Sequence, residues 1–217
     1  MDELRLGPQE ARVLGALAEK AITTPQYYPM TVNALMLASN QKNCRHPVMA
    51  LNEGDSGAAL NRLEELGLCR RDDRSGRVPK WRHNFRTHLL LESDAFALLV
   101  TLMLRGPQTL SELRANASGL GGPDDAEAAQ ALLKDLSDRA QPLVVLLPKS
   151  PGRKEARYAH TLCGVPESDD ELVPAAAAAR PANAAVAALE DRLAALEARV
   201  AQLEGRPTPA DPNGNNA

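Results

Sequence analysis

Apolar residues in the first part of the chain recur at helical spacing. Ala11, Val13, Leu14, Leu17 and Ala18 fall on one face of a helix over residues 8–20, the spacing expected of a period near 3.6. Pro8 suits the first helical position, where a backbone N–H has no partner to lose. Pro25 and Pro29 then break the pattern. Val32, Leu35 and Leu37 predict a second helix over 31–39, with Thr31 as its cap. Leu60, Leu63 and Leu66 form a stripe that predicts a third over 56–66, stopped by Gly67. The run "LCRRDDRSGRVPKWRHNF" that follows holds two short strand-like pieces around Ser75-Gly76. It reads as a hairpin.

The same order recurs downstream. "LESDAFALLVTLML" matches "LGPQEARVLGALAE", pairing Leu6 with Leu91, Val13 with Leu98, Leu14 with Leu99 and Leu17 with Leu102. "TLSEL" at Thr109 echoes "TVNAL" at Thr31, and "ALLKDL" echoes "ALNRLEEL". "PLVVLLPKSPGRKEARYAH" supplies a second hairpin, with Tyr158 near the place of Trp81. Three helices and a hairpin, twice over, predict an α+β, mainly helical chain of two tandem winged-helix domains. The expected boundaries are 1–88 and 89–164.

Beyond them the composition shifts to a Pro/Ala-rich linker over 165–183. Val186, Leu189, Leu193, Leu196, Val200 and Leu203 then alternate in steps of three and four, the seam of a coiled-coil helix over 184–205. With Arg192 and Arg199 facing Glu197 and Glu204 of a second copy, the charges favour a parallel homodimer. So short a helix is marginal alone, and folding back on its own domain is the alternative. Residues 206–217 are disordered by composition.

Chemistry enters through one dense polar run, Asn40-Gln41-Lys42-Asn43-Cys44-Arg45-His46. Cys44 and His46 are the nearest approach to a metal cluster, yet no second pair accompanies them. Gly-rich phosphate loops, nucleophile elbows, HExxH and Cys-x-x-Cys motifs are absent from the sequence. The expectation is therefore a non-enzyme without cofactor or metal. The run falls between the second and third helices, where Gln41, Lys42 and Arg45 could reach phosphate while Val48, Met49 and Leu51 return to the core.

The net charge of −3 argues mildly against a strongly electrostatic nucleic-acid binder, but basic residues cluster locally. Arg70, Arg71, Arg74, Arg77, Lys80 and Arg82 crowd the first hairpin, and Lys149, Arg153, Lys154 and Arg157 the second. With Trp81 and Tyr158 interleaved, both hairpins read as phosphate-contacting surfaces; a solvated strand face is the alternative. Asn61 and Arg62 lie beside the groove on the third helix. The corresponding helix of the second half carries Asp124, Asp125, Glu127, Asp135 and Asp138 against Lys134 and Arg139, a poor groove reader. Duplex DNA is the expected partner, and a protein-binding adaptor the rival.

No apolar run approaches the roughly 18 residues of a membrane span. The N-terminus lacks a signal pattern, and the three cysteines are widely spaced, so a cytoplasmic location is expected.

The phrases "EARVLGALAEKAITTPQYYPMTVNAL", "NQKNCRHPVMAL", "TLMLRGPQTLSELR" and "GRKEARYAH" resemble the YceH-like family of bacterial proteins. That resemblance implies two tandem winged-helix domains, with DNA binding presumed from the fold and no established activity. The heptad segment lies outside it.

Overall fold

The computed structural model describes residues 4–72, 78–149 and 155–166. Of the expected contacts, Arg74, Arg77, Arg153 and Lys154 lie outside these residues. So do the 186–203 seam, the linker beyond residue 166 and the tail. The chain divides into two units, Met1–Leu172 and Val173–Ala217, and all the described residues belong to the first.

The first half runs α1 (Pro8–Thr23), α2 (Val32–Ser39), α3 (Glu53–Glu65), β1 (Cys69–Asp72), β2 (Lys80–His83) and the single turn α4 (Phe85–His88). The second runs α5 (Ser93–Arg105), α6 (Leu110–Ala117), α7 (Ala126–Ser137), β3 (Val144–Leu146) and β4 (Tyr158–His160). The fold is α+β and mainly helical, with two small antiparallel hairpins among the described residues. No described helix is long and apolar enough to cross a membrane.

Local chemistry sets the boundaries. Thr31 and Thr109 accept hydrogen bonds from the N–H groups of Ala34 and Glu112, capping α2 and α6. α3 begins at Glu53, three residues before the apolar stripe suggests. Asn52 and Asp55 exchange side-chain to backbone bonds there, a capping box that starts the helix early. Gly67, at φ +70, ends that helix as expected.

The duplication is visible in the backbone. Met30, just before the Thr31 cap, exchanges both backbone hydrogen bonds with Trp81. Gln108, just before the Thr109 cap, does the same with Tyr158. Each half is thus a helix, a bridging residue, two helices and a hairpin whose second strand returns to that bridge.

One apolar cluster runs through both halves. Every residue from 11 to 18 in α1 and from 95 to 104 in α5 is buried, as a helix must be when packed on all sides. The two helices touch, and Gly15 permits it: a Cβ there would lie 3.1 Å from Leu104 Cδ2. The N-terminal segment joins the second half through Leu6 N–H donating to Leu162 O at 2.7 Å.

Candidate nucleic-acid interface

Strand alternation divides the first hairpin into two faces. Cys69, Arg71, Trp81 and His83 share one face, while Arg70, Asp72, Lys80 and Arg82 share the other. Trp81 is 3% exposed, so it is a core residue rather than the surface aromatic the sequence suggests. Arg71 covers it, with the guanidinium carbon 5.1 Å from the ring centre. The second face is basic: Arg82 lies over Tyr28 and pairs with Asp72 at 2.6 Å, while Arg70 and Lys80 have no carboxylate partner among the described residues.

The α3 side is mixed. Arg62 pairs with Glu65 at 2.9 Å, and Arg71 bonds both Asn61 and Glu64. These pairs are exposed, and exposed pairs are worth only about 0–1 kcal/mol, so a phosphate could displace them at little cost. In the second half Arg157 is tied to Glu112 at 3.0 Å and to the Pro107 carbonyl, and Lys149 is exposed. α7 places Lys134 3.9 Å from Asp138 on a face rich in acid.

The polar run at residues 40–46 departs furthest from expectation. Gln41 and Lys42 are exposed, but Arg45 is 5% exposed and faces inward. Its guanidinium holds both Glu19 carboxylate oxygens, at 3.0 and 2.6 Å. It also donates to the carbonyls of Ala38 and Cys44 and to Gln41 Oε1. Arg45 is therefore corrected from a phosphate contact to a buried clamp. The sequence hid this because its partner lies a helix away. Burial pushes the Glu19 carboxyl up, and Arg45 and Lys20 overcome that to hold it below its usual value.

A second buried arginine completes the clamp. Arg12 is 1% exposed and donates to the carbonyls of Ser39 at 3.3 Å and Pro47 at 2.7 Å. Sequence reasoning missed it, since a lone charge within an apolar pattern gives no hint of its direction. The same loop reaches the second half, where His46 N–H donates to Leu104 O at 2.8 Å. Leu51 is buried as expected, Met49 half-buried, but Val48 is 54% exposed. The run is thus an interlock between the halves, anchored by the buried Arg45, with Gln41, Lys42, Asn43, Cys44 and His46 exposed around it.

Gly106 is where that interlock closes. Its φ of +72 is open to glycine, and a Cβ would sit 2.9 Å from His46 Cδ2. Gly106→Ala should cost about 1–3 kcal/mol in urea unfolding, and His46→Ala in the same chain should restore part of it.

Among the described residues no group of three His, Cys, Asp or Glu side chains could hold a metal. A family model described as "Protein of unknown function, DUF480" matches residues 6–153. The chain belongs to this family. The match takes in the first repeat, the interlock and the second repeat as far as β3, ending before β4. It is 48% identical over 159 residues to a UPF0502 protein of Burkholderia vietnamiensis, covering 73% of this chain and 67% of that one. A UPF0502 protein of Geobacter metallireducens is 46% identical over 169 residues, covering 78% and 77%. A third, from Koribacter versatilis, is 47% identical over 162 residues, covering 75% and 76%. The DUF480 assignment agrees with the YceH-like resemblance and carries no activity with it.

Proposed function

We propose that the two repeats are winged-helix domains and that the protein binds duplex DNA as a regulator, chiefly through the first wing. The observation that supports this most is the outward face of β1 and β2, where Arg70, Lys80 and Arg82 stand together against one acid, Asp72. Lys42, Asn61 and Arg62 are exposed and are assigned as further phosphate contacts, Asn61 being bonded to Arg71 on the other face of the hairpin. Arg62 already pairs with Glu65, so backbone phosphates rather than base edges are the main target. The order helix, bridge, helix, helix, hairpin supports the winged-helix reading, because the Met30–Trp81 bridge supplies the short strand that such a domain places between its first two helices. A 186–203 coiled coil would bring two such wings to one duplex.

The acids on and flanking α7, Asp124, Asp125, Glu127, Asp135 and Asp138, favour a second role for the second repeat, contact with another protein. The two readings separate by mutation. Arg70→Ala/Lys80→Ala should weaken binding to any duplex by about tenfold or more, roughly uniformly across sequences. Lys134→Ala on α7 should leave it unchanged. Electrophoretic mobility shifts on random duplexes check this; equal affinity of the hairpin variant and the parent overturns the wing assignment.

A further inference from the structure

Between α1, the interlock loop and the end of the second hairpin lies a cavity of about 410 Å³, within the range of small-molecule sites. Ala11, Met49 and Met103 give it apolar walls, and Arg12, His46 and His160 also line it. Both repeats contribute, so it sits where the interlock holds them together.

Its polar groups are incompletely satisfied. Arg12 is a buried cation whose Nε has no hydrogen-bond partner, and no described carboxylate pairs with it. Glu19 of the same helix is held by Arg45. Arg45 adds a like charge, and burial with that charge lowers the Arg12 pKa to about 10. Buried charges are ordinarily paired, because an isolated one loses its hydration without compensation. His160 Nδ1 is enclosed and also without a partner. Two orphaned polar atoms on residues lining one cavity call for an occupant.

We infer that this cavity binds a small monocarboxylate with an apolar body, its head group directed to Arg12 and His160. One guanidinium and one imidazole suit a single negative charge. A phosphate ester would bring more charge and more acceptor oxygens than these two groups answer. A neutral apolar ligand would leave Arg12 uncompensated, and a cation would be repelled. The inference stands apart from the DNA reading.

The test uses the full chain with its methionine methyl groups ¹³C-labelled, titrated with octanoate and with 1-octanol. Octanoate should shift the Met49 and Met103 methyl resonances and leave Met36 on α2 in place. Octanol should bind at least about tenfold more weakly. Arg12→Met should abolish that preference. Because Arg12 also holds the Ser39 and Pro47 carbonyls, Ala11→Leu serves as an independent variant that fills the cavity and should remove binding. No shift with octanoate at millimolar concentration overturns the site. Equal affinity for acid and alcohol overturns the anion assignment, and binding that survives Ala11→Leu overturns its location.

Discussion

Acid should unfold this chain from an unusually high pH. His83 and His160 each have a pKa lowered from 6.5 to about 4. Burial is the main cause for both, with the Arg86 charge adding to it for His83. His83 stacks on Phe96, ring centres 5.6 Å apart, and its Nδ1 is enclosed without a partner. Below pH 6.5 the unfolded imidazoles take up protons that the folded ones refuse, so unfolding is favoured as pH falls. The stability is fully present above pH 6.5 and is lost progressively toward pH 4. At about 1.4 kcal/mol per unit, the two together should cost about 5 kcal/mol by pH 4.5. Glu19, whose pKa is lowered, acts only in a lower window, below the ordinary carboxyl value of 4.5. Urea unfolding at a series of pH values should show the slope, and His160→Gln should remove about half of it. A flat profile from pH 7 to 4.5 would mean that neither ring is enclosed.

Arg45→Ala should be the most damaging substitution in the 40–46 loop, at about 3–5 kcal/mol, because breaking a buried pair leaves its partner charge uncompensated. The Arg45 side chain is 0% exposed and that of Glu19 14%. Its loss would also leave the Ala38 and Cys44 carbonyls without their donor. Arg45→Lys should recover less than half, since an ammonium cannot hold two carboxylate oxygens in a fork. Lys42→Ala, a few residues away and exposed, should change stability by no more than about 0.5 kcal/mol. Denaturant titrations of the three variants separate the clamp from a surface role: if Arg45→Ala behaves like Lys42→Ala, Arg45 is a surface residue.

The helices were legible where period and cap agreed. Leu14 and Leu17 announce α1, Thr31 and Thr109 mark α2 and α6, and the correspondence of Tyr158 with Trp81 anticipates matching backbone bridges. The start of α3 was harder to read: "NEGDSG" is poor in helix formers, and the Asn52–Asp55 capping box compensates for that. The direction of charged side chains was not legible at all. Arg12 and Arg45 look in sequence like any surface arginine, and their burial depends on carbonyls and a carboxylate brought close only by the fold. Of the basic hairpin, the crowding of arginines was legible but its two faces were not: the register sets Arg71 apart from Arg70 and Arg82, and burial of Trp81 against the core depends on tertiary packing.

Fluorescence anisotropy of the full chain against a random-sequence duplex, at about 50 and 200 mM salt, tests the functional proposal most directly. Several phosphate contacts from the first wing predict affinity that falls at least tenfold over that range as counterions are released. Binding indifferent to salt, or none at the lower concentration, would contradict it.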